Sequence, residues 1–120
     1  MKRHRGILFA VDRDGLLVDG MAGILPFQAP FVQVRNVVAG WTLDHPNRIG
    51  LHDVAVNARP TALIGVSGQP GIFTEKIVRT MVGGAARPVI FPLSNPVSRS
   101  EATPQDLETF FQLLHLRFTQ

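Results

Sequence analysis

Cysteine is absent from the 120-residue chain, which removes disulfides, thiolate zinc sites and cysteine nucleophiles together. A cysteine-free chain suits a reducing compartment, and the expected location is the cytoplasm. Charge is scarce as well: Asp, Glu, Lys and Arg make up 18% of the residues against 45% hydrophobic. That balance supplies material for a packed core and excludes a disordered acidic or basic tail. No apolar run approaches the roughly 18 residues of a membrane span, so no membrane partner is expected. The start, Met1 to Arg5 followed by Ile7 to Val11, is basic and then apolar in the manner of a secretion leader. Asp12, Arg13 and Asp14 cut that apolar stretch to about half the usual length, and the leader reading is rejected.

Twelve Lys and Arg against nine Asp and Glu give a formal charge of +3. Lys2, Arg3, Arg5 and Arg13 lie at the start and the other cations are scattered, without the clustered charge and interleaved aromatics of a nucleic-acid face. No nucleic-acid partner is expected. His4, His45, His52 and His115 show no metal-ligand spacing with an acidic pair, so no metal site is assigned. Nothing assembles a nucleophile, a base and an oxyanion donor, so no catalytic residue is assigned either.

The length allows one domain, and its elements alternate. Ile7 to Val11 is a short apolar run closed by Asp12-Arg13-Asp14-Gly15, which predicts a buried strand entering a turn. From Leu16 to Asn47, Pro26, Pro30 and Pro46 with Gly20, Gly23 and Gly40 interrupt every period. That stretch reads as a long, partly packed excursion, with a partner surface or missing neighbours as its explanation. Leu51, Val54 and Ala55 recur at helical spacing with Asp53 near the start and Arg59-Pro60 at the end, predicting a helix of about two turns. Thr61 to Val66 is the next buried strand, running into the loop Ser67-Gly68-Gln69-Pro70-Gly71. Thr74 then reads as an N-cap, with Glu75 in the first turn and Phe73 and Val78 as a hydrophobic staple. The following helix places Ile77, Val78, Met81 and Val82 on its buried face and stops at Gly83-Gly84. Pro88 to Leu93 is a third strand, ended by Pro92 or lying at an edge, with Ser94-Asn95-Pro96 at its tip. Thr103-Pro104-Gln105-Asp106 joins a capping hydroxyl, a proline at the first helical position and a first-turn acid, and Leu107, Phe110, Phe111 and Leu114 share a stripe. Strand, helix, strand, helix, strand, helix predicts an α/β fold of mainly parallel strands with flanking helices, joined by right-handed crossovers.

Ligands of such sheets bind beyond the carboxyl ends of the strands. Asp12 has the location of a carboxylate that accepts from a ribose diol; a turn-forming acid before Asp14-Gly15 explains it too, and periodicity alone favours the turn. The glycines of the Ser67 to Gly71 loop permit close approach of a nucleotide, and a tight strand-to-helix connection accounts for them too. Asn95 can donate to and accept from a ligand carboxylate or carboxamide, while Ser-Asn-Pro is commonly just a turn.

Three ordered motifs carry more than periodicity: Pro60 to Glu75 (PTALIGVSGQPGIFTE), Arg87 to Pro96 (RPVIFPLSNP), and Ser98 to Asp106 with Glu101-Ala-Thr-Pro. Together they resemble the nucleotide-binding domain of malic enzymes, the bacterial NAD-dependent type above all. Upstream, Val11 to Leu17 resembles the family's second Rossmann strand and turn, and Leu51 to Pro60 the helix before the next strand. The resemblance spans residues 7–110 of one partial Rossmann-like domain, leaving 111–120 as a divergent tail. It implies an oxidoreductase of malate metabolism, converting malate to pyruvate with NAD and a divalent metal, Mg or Mn. It further implies that Asp12, with Arg13 beside it, faces the adenine ribose. The backbone at Gly65, Val66 and Ser67 would follow the dinucleotide, and Asn95 would lie near the nicotinamide and the substrate. An acid at Asp12 fits NAD better than NADP, because a 2′-phosphate would be repelled there.

The departures are equally specific. The glycine fingerprint of the first Rossmann strand is not in the sequence, the family's tyrosine acid cannot be present because the chain has no tyrosine, and the catalytic lysine and metal-binding acids belong to upstream segments. A fragment inactive alone is therefore expected. The rival expectation is a non-catalytic module that self-associates or pairs with a companion subunit, through a sheet edge and the apolar residues Phe110, Phe111, Leu114, Leu116 and Phe118.

Overall fold

The computed structural model describes residues 8–85, 87–93 and 100–110. The chain divides into two compact units, residues 1–58 and 59–120.

In the first unit, β1 (Val11–Asp12) turns back at once onto β2 (Gly15–Leu16) as an antiparallel hairpin, with Val11 opposite Leu16 and Asp12 opposite Gly15. Leu17 N–H donates to Ala10 O at 2.9 Å and extends the pairing. This departs from the expected parallel role of the first strand. The cause is local: the Asp12 carboxylate accepts from Asp14 N–H at 2.8 Å, and Gly15 takes φ +108°, where a Cβ would meet Ile49 O at 2.8 Å. Side-chain capture of the backbone two residues on, followed by a left-handed glycine, reverses the chain before the strand can lengthen.

The excursion after the hairpin is stitched by contacts that no local period reveals. Val18 bridges Gln33 in parallel, with Asp19 N–H donating to Gln33 O and Gln33 N–H to Leu17 O, both at 2.9 Å. The Gln33 side chain, itself buried, donates from Nε2 to Leu8 O at 2.5 Å. A 3-10 turn (Ala29–Phe31) and α1 (Arg35–Val38) lie along this path. Helix α2 (Leu51–Ala58) closes the unit. Leu16, Val18 and Val54 form the core, packed by Phe9, Val11, Met21, Val38, Trp41, Ile49 and Ala58. The Phe9 and Trp41 rings lie 5.6 Å apart, tilted by 45°, within the range of favourable aromatic pairs.

The second unit holds β3 (Ala62–Gly65), α3 (Glu75–Gly84), β4 (Val89–Pro92) and a helix, α4, that starts at 104 and continues to the last described residue, 110. Strands β3 and β4 are parallel, pairing Ala62 with Val89 through Gly65 with Pro92, so the α/β reading holds here. The expected caps form. Thr74 Oγ1 accepts from Ile77 N–H at 3.3 Å, and the staple residues Phe73 and Val78 are both buried. At α4, Thr103 Oγ1 accepts from Asp106 N–H while Asp106 Oδ2 accepts from Thr103 N–H, both at 3.0 Å, a reciprocal capping box. Ile77, Val78 and Met81 are buried as expected, and Val82 is half-buried.

The parallel pair is not buried on both sides, contrary to the expectation of two buried strands. Side chains alternate along a strand, and one face, made of Ala62, Ile64, Val66, Val89, Phe91 and Leu93, is exposed throughout. The other face, Leu63, Gly65, Ile90 and Pro92, is half-buried or buried. Pro92 fits within β4 because the donors to β3's backbone flank it: Val89 N–H reaches Thr61 O at 3.0 Å and Leu93 N–H reaches Gly65 O at 2.8 Å. The nitrogen of Pro92 falls in the opposite phase, so no rung to β3 is lost.

Replacing Gly15 by alanine combines a strained φ with a backbone clash. Gly15→Ala is expected to lower stability by about 2 kcal/mol, read as a lower denaturant midpoint with an unchanged slope.

Candidate functional site

Asp12 is half-buried at the hairpin turn. Its Oδ1 accepts from Asp14 N–H at 2.8 Å and its Oδ2 from Gln28 Nε2 at 3.3 Å. The turn-forming role left open by the sequence is therefore present. It does not exhaust the group, since a carboxylate has about four acceptor sites. Gln28, whose Oε1 accepts from Leu25 N–H at 2.9 Å, aims its amide at Asp12 and was not singled out by sequence; its distance along the chain left no local signal. The Arg13 side chain is exposed, and its carbonyl accepts from Arg48 Nη2 at 2.8 Å.

The second place is the loop that leaves β3 and enters α3. Gly68 and Gly71 adopt φ +68° and +73°, and a Cβ at either would meet nothing within 4 Å. Conformation rather than crowding requires these two glycines. Gly65 is different. A Cβ there would fall 2.5 Å from Glu101 Cδ, because the fully buried Glu101 lies across the end of β3. Glu101 Oε2 accepts from Ser67 N–H at 2.7 Å and from Ser67 Oγ at 2.5 Å, distances of charge-assisted bonds. Ser67 Oγ in turn accepts from Gln69 N–H at 3.1 Å.

The backbone completes this join, with Gly71 N–H donating to Ser100 O at 3.1 Å and Phe73 N–H to Glu101 O at 3.0 Å. Val66 is 79% exposed, pointing off the loop's tether. Thus Gly65, Val66 and Ser67 sit together at the carboxyl end of a parallel strand. Glu101 opens the sequence Glu101-Ala-Thr-Pro, but its task depends on folding onto residues far upstream. Asn95 lies outside the described residues.

Among the described residues, Asp44, His52 and Asp53 bring ligand-type atoms within 4.8 Å of one another. Several of these atoms already bond within the chain. Asp53 is buried, its Oδ1 accepting from Asp44 N–H at 2.8 Å and its Oδ2 from Gly50 N–H at 2.9 Å. His52 Nδ1 lies 2.9 Å from Asp44 Oδ2. The Asp53 to Gly50 bond is the backward half of a capping box at the start of α2, so the group reads as a helix start rather than a metal centre.

Comparison with known proteins decides what this strand, loop and helix belong to. The family model described as malic enzyme, NAD binding domain, matches residues 2–114. The chain belongs to the malic enzyme family. It is 57% identical over 97 residues to an NAD-dependent malic enzyme of Sodalis glossinidius (strain morsitans), covering 81% of this chain and 17% of that protein. Against the NAD-dependent malic enzyme of Shewanella frigidimarina (strain NCIMB 400) it is 50% identical over 106 residues, 88% of this chain and 19% of that protein. Against that of Edwardsiella ictaluri (strain 93-146) it is 54% identical over 100 residues, 83% and 18% respectively. The chain thus spans 17 to 19% of the length of these malic enzymes.

Within this malic enzyme domain, Asp53 is the side chain on which the start of α2 rests. Asp53→Ala is expected to cost roughly 3 kcal/mol, two charge-assisted bonds to part-buried backbone donors, measured by chemical denaturation; a midpoint unchanged from the parent would refute the capping role.

Proposed function

We propose that residues 1–120 are one partial Rossmann-like piece of the NAD-binding domain of an NAD-dependent malic enzyme, contributing cofactor contacts and lacking the means to catalyse alone. The observation that carries this is the loop Ser67 to Gly71. It joins the carboxyl end of the parallel strand β3 to the capped start of α3, the position at which open α/β sheets take ligands. In this reading the backbone at Gly65, Val66 and Ser67 follows the dinucleotide. Asp12, beside Arg13, accepts from the adenine ribose with its remaining lone pairs, and Asn95 addresses the nicotinamide end and malate. The open space over Gly68 and Gly71 fits a ligand passing close to the backbone.

NAD supplies the hydride acceptor, and a divalent metal, Mg or Mn, supplies Lewis acidity for malate decarboxylation in the complete enzyme. The residues at hand bind and orient. The Asp44, His52 and Asp53 group is not read as that metal's site, because Asp53 serves the start of α2 and the Asp44 backbone. No tyrosine exists in the chain to act as the proton donor the family resemblance implies.

A second reading, self-association or pairing with a companion subunit, is favoured by the bare apolar face of β3 and β4, where Ile64 is 59% and Phe91 50% exposed. Parallel sheets are ordinarily covered on both faces, and an uncovered one drives association. The apolar tail beyond Phe110 lies outside the described residues. Light scattering at rising concentration tests this: a clean monomer counts against it.

Two outcomes are expected of the purified chain. Malate, manganese and NAD together give no NADH above blank. NAD titrated into isotope-labelled chain shifts the amide resonances of residues 65–69, and NADP binds about tenfold more weakly, a gap that Asp12→Ala narrows. Resonances unmoved by millimolar NAD would overturn the cofactor reading.

A further inference from the structure

Resting on that cofactor reading, we propose that Glu101 is a positioning residue: its buried carboxylate sets the path of the Ser67 loop and, through the loop, the affinity for the dinucleotide. Four observations converge on it. Glu101 is fully buried, and an ion is withdrawn from water only where fixed donors replace the solvent. Two such donors belong to one residue, Ser67, whose N–H and hydroxyl both meet Oε2. Gly65 leaves the room that the carboxylate occupies, a Cβ there falling 2.5 Å from Cδ. Finally, the Glu101 main chain holds the far end of the same loop through Phe73 N–H. The loop is therefore clamped at both ends by one residue, whose side chain is wholly buried.

The clamp has a chemical consequence. With the Ser67 N–H and hydroxyl turned toward Glu101, the loop offers a ligand its exposed Val66 and its glycine backbone instead of those two donors. Preorganisation of that backbone lowers the ordering cost of binding. An unclamped loop orders itself only when the cofactor arrives, and affinity falls by that cost.

The test uses the full 120-residue chain, isotope-labelled, with NAD as the probe. In Glu101→Ala, hydrogen exchange at the Ser67 amide is expected to accelerate at least about tenfold, and NAD affinity to fall about tenfold, one charge-assisted bond being worth that much. Exchange across α3 and the denaturant midpoint of β3 and α3 report whether the fold survives. Glu101→Gln, whose amide oxygen accepts in the same place, restores part of the affinity, whereas Glu101→Met, of similar volume and without that acceptor, does not; equal recovery by both overturns the proposal. Combining Glu101→Gln with Ser67→Ala gives less than the sum of the separate losses, since both act on one contact.

NAD affinity within twofold of the parent in a folded Glu101→Ala chain overturns the proposal. If Glu101→Ala does not fold, the Gln and Ser67→Ala arms decide, and additive losses overturn it. If the parent itself binds no NAD, the cofactor reading fails, and Ser67 exchange in Glu101→Ala still decides the clamp: faster exchange supports it, unchanged exchange overturns it.

Discussion

Carboxylates that accept hydrogen bonds from backbone N–H groups hold this chain together at its turns. Strands of two to four residues and one four-residue helix satisfy few of their own donors, so side chains must supply the rest. Asp12 takes Asp14 N–H, Asp53 takes Asp44 and Gly50 N–H, Glu101 takes Ser67 N–H, and Asp106 takes Thr103 N–H. Each bond lies where the chain changes direction or enters a helix. In a composition with so little charge, acids spent this way are not spent on solubility. The same pattern ties Asp12 and the Ser67 loop to the chain's own backbone and side chains.

How far the fold was legible follows from the range of these contacts. The starts of α3 and α4 were readable because Thr74, Thr103 and Asp106 act on neighbours three residues away, and α2 because Asp53 sits three residues from Gly50. The apolar runs around Leu63 and Ile90 identified β3 and β4. The hairpin at Asp12 was not foreseen as such. Its apolar run reads as a strand entering a turn, and the residues of that run do not show that the chain pairs back on itself directly after Gly15. The excursion from Leu16 to Asn47 was opaque because Gln33, a polar residue with no place in a hydrophobic period, organises it from its interior. In the candidate site, Asp12 and the glycine loop were visible as turn chemistry. Gln28 and Glu101 were not, since their roles exist only once distant segments meet.

Family membership and the uneven burial of the second unit bear on each other. A parallel pair with one apolar face open is a poor stopping point for a sheet, and the malic enzymes that this chain matches are several times longer. The side that does form, Leu63, Gly65, Ile90 and Pro92, is the side over which Glu101 lies. The Glu101 contact with the Ser67 loop and the packing of the strand pair thus meet at a single glycine, Gly65, and substitution there disturbs both together.

Pro92 has an implication for how this sheet can grow. Because Val89 and Leu93 direct their N–H groups to β3, the alternate positions 88, 90 and 92 face the opposite flank, and two of those three are proline. Only Ile90 presents a donor there. An incoming strand would find three carbonyl acceptors there but a single donor, so pairing on that flank is weaker and one-sided, which disfavours amyloid-like or domain-swapped extension at β4.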